Sequence, residues 1–182
     1  MAVVDFANSE TYRNLQSAFQ GELIASAKYQ IYGTRARQDG YQQIGNIFDE
    51  TARNEREHAR IWLDQINSGQ ETTTYENLVE AYNLENYEWT EMYRQYAEKA
   101  REEGYEDIAN LFEAVGLIER HHDFRFRQLA ENIRTNRVFC KNNISVWICI
   151  ICGNLVWNEC APERCPVCGY PQSYYELNCE NY

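Results

Sequence analysis

The sequence predicts an all-α four-helix bundle followed by a small metal-bound β/loop domain, divided as residues 1–137 and 138–182. Three observations predict it. Four successive windows carry apolar residues at steps of three and four. All seven Cys and all three Pro lie after residue 139, and all three His lie before it. Two C-x-x-C-G motifs sit twelve residues apart in the Cys-rich part. That part is too short to be stable by burial alone, so it needs disulfides or a metal.

The first helix is read over Ser9 to Arg37, with Leu15, Ala18, Phe19, Glu22, Ala25, Ser26, Tyr29 and Tyr32 in phase; Asp39-Gly40 breaks it. The second starts near Tyr41, follows Ile44, Phe48, Thr51, Glu55, His58 and Trp62, and stops at Asn67-Ser68-Gly69. A polar stretch, Gln70 to Thr74, separates it from a third run between Tyr75 and Glu103, ended by Gly104. The fourth runs from Tyr105 to Arg134 through Ile108, Phe112, Val115, Glu119, His122, Phe126 and Leu129. Each helix is about 40 Å long at 1.5 Å per residue.

An internal repeat relates the halves. Residues 37–48 match residues 101–112 at an offset of 64, which places Glu55 on Glu119 and His58 on His122. Tyr29 matches Tyr93 at the same offset, but Glu22 matches Glu85 at 63. One extra residue between Glu85 and Tyr93 fits a π-bulge.

Composition excludes several function classes. With 44% apolar and 25% charged residues, the 182-residue chain can bury a core. A net charge of −11 argues against a free-standing nucleic-acid binder. No apolar run reaches the roughly 18 residues of a membrane span. Met1 to Asn8 holds an acid and no basic stretch, so no export leader is expected and the reducing cytoplasm is the expected compartment.

The acidic residues in the helical stripes carry the chemistry. Glu55 and His58 stand in register with Phe48, Thr51 and Trp62, and Glu119 and His122 with Phe112, Val115 and Phe126. Glu22 lies between Phe19 and Tyr29. Ionised carboxylates in a bundle core are very costly unless a proton, a cationic side chain or a metal neutralises them, and no Lys or Arg shares these positions. In Glu-x-x-His both side chains point the same way, so one helix supplies a carboxylate and an imidazole together. Two such motifs plus single Glu residues from two other helices form the di-iron carboxylate pattern of ferritin-like bundles. Carboxylate with imidazole favours iron or manganese. On the third helix Glu85 is the repeat's equivalent of Glu22, Glu88 is one turn on, and Glu91 drifts toward solvent. Glu80, Glu98 and His121 are read as surface groups. Tyr29 and Tyr93 are either core aromatics or hydrogen-bond donors to the ligands.

In the second domain, Cys149, Cys152, Cys165 and Cys168 form paired knuckles, the pattern of a tetrahedral four-thiolate site. The spacing alone does not separate zinc from iron. Cys140, Cys160 and Cys179 are expected as free thiols, with Cys160 as the spare ligand.

Together these residues resemble the rubrerythrin family, a ferritin-like di-iron bundle followed by a rubredoxin-like Fe(Cys)4 domain. The segments that carry the resemblance are Phe19-Gln-Gly-Glu22, Glu55-Arg-Glu-His58, Glu85-Asn-Tyr-Glu88-Trp-Thr-Glu-Met-Tyr93 and Ala161-Pro-Glu-Arg-Cys-Pro-Val-Cys168. The stretch from Asn154 to Cys160 departs from that family's loops, lacking their glycines and carrying a Cys. The resemblance implies di-iron ligands at Glu22, Glu55, Glu85, Glu88, Glu119 and His122, with His58 a ligand in one redox state, when Glu88 releases. It implies supporting roles for Tyr29 and Tyr93 and a single iron on Cys149, Cys152, Cys165 and Cys168. The activity implied is reduction of hydrogen peroxide to water, with electrons entering through the Fe(Cys)4 centre from an NAD(P)H-dependent flavoprotein reductase or a rubredoxin, in a homodimer or larger homo-oligomer. The alternative is a ferritin-like iron oxidase or storage-related protein with a structural zinc ribbon.

Overall fold

A computed structural model describes residues 5–180. The first four residues of the stretch on which the absence of a leader was read lie outside it. The chain forms two compact units, Met1–Glu71 and Thr72–Tyr182.

The first unit is an antiparallel helix pair, α1 (Glu10–Gln38) and α2 (Gln42–Ile66). Ser9 starts α1 by accepting the Tyr12 N–H on its hydroxyl at 3.0 Å, which satisfies a donor the helix cannot. Gly40 ends it with φ of 90°, a conformation that a Cβ disfavours. The pair closes on small residues. Gly33, Gly45, Ala52 and Ala59 are buried, and the Ser26 hydroxyl donates to the Ala52 carbonyl across the contact at 2.8 Å. A Cβ on Gly45 would meet the Gly33 carbonyl oxygen at 3.0 Å. Gly45→Ala is therefore expected to lower stability by about 1–2 kcal/mol in urea unfolding, the backbone clash outweighing the helix propensity of Ala. A more stable variant would refute this packing.

The second unit begins with a capping box. Thr73 accepts the Glu76 N–H, and the Glu76 carboxylate accepts the Thr73 N–H. Helix α3 (Thr74–Tyr87) runs into a π-helical segment, Glu88–Met92, and continues as α4 (Tyr93–Glu102). The π segment lies where the repeat slips from 63 to 64. After a turn at Gly104, α5 (Glu106–Arg134) packs on both α3 and α4. All four helical runs of the sequence are present, the third interrupted by the π segment.

The Cys-rich part is a three-stranded antiparallel sheet of order β2-β1-β3, with β1 at Cys140–Cys149, β2 at Leu155–Cys160 and β3 at Tyr175–Leu177. Its core is Trp147, Cys149, Ala161, Cys165 and Tyr175. The glycine-poor stretch after Asn154 forms strand β2, which Leu, Val and Trp at 155–157 suit. One expectation is corrected here. Cys140 and Cys160 are not free thiols, and Cys160 is no spare ligand. Strand pairing sets the two residues opposite each other, Cα atoms 4.0 Å apart, and they form a disulfide. Cys179 is free and exposed. Among the described residues no helix is long and apolar enough to cross a membrane.

Candidate metal centres

In the first unit α1 supplies Glu22 and α2 supplies Glu55 and His58; one ligand atom of each lies within 4.8 Å of the others. His58 Nδ1 stands 2.9 Å from Glu55 Oε2 and 3.8 Å from Glu22 Oε2. The second unit repeats the arrangement with Glu85 from α3 and Glu119 and His122 from α5. His122 Nδ1 is 2.7 Å from Glu119 Oε2 and 3.5 Å from Glu85 Oε2. The helical period explains both, because residues three apart on one helix share a face and a partner helix adds the third group.

These carboxylates are unfavourable as they stand. Glu85 Oε2 is buried with no hydrogen-bond partner. Burial, and then the neighbouring Glu119, push the Glu85 carboxyl above the usual range. Among the described residues the only basic side chains within ion-pair distance of Glu22, Glu55, Glu85 and Glu119 are the two imidazoles, and no Lys or Arg reaches them. Carboxylate oxygens and imidazole nitrogens crowded together without a cation are a donor set suited to iron.

Glu88 stands outside both three-residue sets. It lies half-buried in the π segment, and burial followed by the Glu119 charge raises its pKa, against the opposing pull of His122. Glu91 and His121 are exposed, as expected. Tyr29 packs against Phe48 and Tyr32, with ring centroids 5.9 and 6.4 Å away. Tyr93 repeats this with Phe112 at 6.0 Å and Tyr96 at 6.5 Å. Neither hydroxyl donates to a ligand carboxylate among the described residues. The Tyr93 phenol is raised by burial and then by Glu88, Glu119 and Glu85, so it keeps its proton.

The sequence reading missed one group, Asp123. It is buried beside His122 and accepts from Asn86 and from the Trp89 indole, both at 3.0 Å, and from Arg127. Burial opposes its charge, but these hydrogen bonds outweigh it and hold the carboxyl below the usual range. Asn86 and Trp89 flank the start of the π segment, so Asp123 ties that segment to α5. Its spacing of four from Glu119 is the signal that could have found it.

The four-thiolate site is built by two near-identical turns. The Gly153 N–H donates to the Cys149 carbonyl at 2.8 Å, and the Gly169 N–H to the Cys165 carbonyl at 2.9 Å. Both glycines have φ near 75°. The Sγ atoms pair at 3.7 Å (Cys149 and Cys168) and 3.6 Å (Cys152 and Cys165), and all four gather within 4.8 Å. Burial works against the Cys165 thiolate, yet the Tyr175 hydroxyl and the N–H groups of Cys168 and Val167 outweigh it and bring its pKa down to about 6. The Tyr170 N–H favours the Cys168 thiolate, but burial and the other three sulfurs push it up to about 12. Four converging sulfurs cannot all be charged without a cation, which is what a tetrahedral metal supplies.

The sequence profile of the rubrerythrin family matches residues 13–130, and that of the rubrerythrin rubredoxin-like domain matches residues 147–176. The chain belongs to the rubrerythrin family. It is 38% identical to rubrerythrin-1 of Clostridium acetobutylicum, covering 96% of this chain and 97% of the relative. It is also 38% identical to the rubrerythrin of Nitratidesulfovibrio vulgaris, covering 93% and 94%. A solved structure of nigerythrin in a mixed-valence state is 28% identical over 97% of this chain and 94% of its own, with a TM-score of 0.35. The fold class is thus the ferritin-like helical one with a rubredoxin-like domain. Its cofactors are a di-iron centre on the Glu/His sets and one iron on the four cysteines. The protein is an iron-dependent oxidoreductase.

Proposed function

We propose that this rubrerythrin-family protein is a hydrogen peroxide reductase. Residues 1–137 contribute the di-iron domain and residues 138–182 the electron-entry domain. The observation that carries the reading is Glu88, a fifth carboxylate held by the π segment beside the Glu85, Glu119 and His122 set. Glu22, Glu55, Glu85 and Glu119 meet the minimal requirement of a di-iron site. Five carboxylates outweigh the charge of two ferrous ions and favour the oxidised metal pair, which suits a reductant of peroxide better than an iron store.

When bound, the di-iron centre supplies two electrons to the O–O bond, so that one peroxide and two protons give two waters. The chain's own residues hold and tune that centre. Glu22, Glu55, Glu85 and Glu119 with His122 would hold the metals, and His58 and Glu88 would be further donors to them. The π segment gives Glu88 a backbone that is not locked into the α-helical ladder. Tyr93 retains its phenolic proton close to the carboxylates, where it would be available to donate once the metals are bound, and Tyr29 has the equivalent position in the repeat. Cys149, Cys152, Cys165 and Cys168 hold a one-electron carrier, whose potential is set by N–H groups directed at the sulfurs. A carrier of this kind on the same chain supports repeated turnover. The electron donor is an NAD(P)H-dependent flavoprotein reductase or a rubredoxin, the compartment the cytoplasm and the working form a homodimer or larger homo-oligomer.

The test is NAD(P)H consumption on adding hydrogen peroxide to the iron-loaded protein with such a reductase. Glu88→Ala should keep the thiolate–iron visible bands and lose about 10²-fold or more in turnover. Unchanged turnover would remove Glu88 from its role. A colourless, zinc-loaded native protein that oxidises ferrous iron without consuming peroxide would replace the reading with the iron-oxidase one.

A further inference from the structure

We infer that Asp123 is a positioning residue for Glu88, holding the start of the π segment against α5 so that this carboxylate stays beside Glu85, Glu119 and His122. The inference deepens the reading of Glu88 above and rests on it.

Asp123 is a charge buried without a packing reason. Its side chain is 8% exposed. The other buried positions of α5 are Ala109, Gly116 and Ala130, small residues that let α3 and α4 approach closely. The repeat places Ala59 of α2 on Asp123 at the offset of 64, and Ala59 is buried too. A methyl group therefore suffices for the packing. A carboxylate there is costly unless its oxygens are well bonded. Asp123 belongs to neither Glu/His set. Its partners give the reason for the charge.

Asn86 Nδ2 and Trp89 Nε1 donate to the same oxygen, Oδ2, each at 3.0 Å, and Arg127 donates to Oδ1. Asn86 lies in the last turn of α3 and Trp89 in the π segment, so the two donors bracket Glu88. The Thr90 hydroxyl donates to the Asn86 carbonyl at 2.7 Å, closing the same turn along the backbone. Two arginines of α5 add to the grip. Arg120 lies 5.6 Å from the Trp89 ring centroid, and Arg127 lies 4.2 Å from that of Tyr82.

A π turn needs such support. Its hydrogen bonds span five residues, as from the Tyr93 N–H to the Glu88 carbonyl, and it persists mostly as single turns inside α-helices. Released from the α-helical ladder, the backbone at Glu88 takes its place from the groups that bond to its neighbours. The first half of the repeat supplies the contrast. At the offset of 63, Leu23 stands for Asn86 and Ala25 for Glu88, and α1 is one unbroken α-helix. The half that carries the additional carboxylate also carries the π segment, the Asn86 donor and the acid on the facing helix. In the other half an uninterrupted helix, a Leu and an Ala stand in their places. Polar groups that occur together and bond to one another form one device, and Glu88 is the group at its centre.

Hydrogen–deuterium exchange of the metal-free full chain tests the grip without iron or activity. Asp123→Ala puts the first half's residue at this position. It should speed exchange of the amides of residues 87–93 by at least about tenfold, as expected when hydrogen bonds to a buried charge are lost, and leave α1 and α2 unchanged. Asp123→Asn keeps an oxygen for Asn86 and Trp89 and should retain most of the protection. Trp89→Phe keeps the ring, removes one donor and should give an intermediate loss, so the result does not depend on how well Asp123→Ala folds. Wild-type exchange at residues 87–93 in the variants that fold would overturn the proposal.

A double-mutant cycle on the iron-loaded full chain separates positioning from general support of the fold. It is read on peroxide turnover and on the rate at which a chelator strips iron from the oxidised carboxylate site. Asp123→Ala alone should lower turnover and speed iron loss by about tenfold; added to Glu88→Ala, it should change either by less than about twofold. Losses that multiply mean that Asp123 supports the fold or the other ligands rather than Glu88, and overturn the proposal. If the protein failed to reduce peroxide, the exchange rates and the iron-loss cycle would still decide the role of Asp123.

Discussion

Cys149→Ser is expected to abolish the red thiolate–iron chromophore, unfold residues 138–182 and stop donor-driven turnover. Cys149 is fully buried, lies at the end of β1 opposite Tyr175 of β3, and belongs both to the four-sulfur set and to the domain's core. That core has five buried residues, two of them metal-binding cysteines. Burial by so few groups does not offset the ordering entropy of a domain this small. The difference has to come from the metal, and structural four-ligand sites supply on the order of 10–16 kcal/mol. The Cys140–Cys160 disulfide closes the far end of β1 against β2 and does not replace the cation between the knuckles. Absorption spectra should lose the visible bands, and near-ultraviolet circular dichroism should lose the signal of the buried Trp147. Iron bound by the helices should remain, and protein reduced beforehand should still react once with peroxide. A variant that stays red and well packed would show that the domain does not depend on this ligand.

Local pattern carried much of this structure, and non-local pairing carried the rest. The helices could be read because a 3.6-residue period and the breakers at Gly40, Gly69 and Gly104 act within one element. The π segment could be read because one extra residue between Glu85 and Tyr93 leaves a visible slip in the repeat. The knuckles could be read because each is a closed turn of five residues. The Cys140–Cys160 bond could not, since it depends on how two strands twenty residues apart come into register. The same cause hid β2. Asp123 was hidden by convention, because an acid after two histidines looks like a surface group until Asn86 and Trp89 are seen to reach it across the helix contact. Periodicity likewise shows that Glu22, Glu55, Glu85 and Glu119 share their faces with apolar residues.

Glu119→Gln is expected to have opposite effects on the metal-free and the iron-loaded protein. Without metal, Glu119 adds to the burial that already pushes Glu85 above the usual carboxylate range, and it does the same to Glu88. Removing its charge relieves both, so the metal-free variant should be more stable by about 0.5–2 kcal/mol, the gain common when a functional site is neutralised. The sign with pH follows from linkage. A carboxyl with a raised folded pKa binds more protons folded than unfolded, so its penalty is absent in acid and grows as pH rises through that pKa. The stabilising effect of Glu119→Gln should therefore be largest at neutral pH and fade as the carboxylates protonate. With iron the balance reverses. Glu119 and Glu85 both approach His122, within 2.7 and 3.5 Å, and a neutral amide at that position neither balances a metal's charge nor binds it as tightly. Di-iron binding should be lost and peroxide turnover should fall by at least about 10²-fold, while the Fe(Cys)4 bands persist. Thermal unfolding of metal-free and loaded samples at two pH values measures both halves. A variant that is less stable without metal would mean that Glu119 serves the fold, and the case for a cation-demanding site in that helix set would fail.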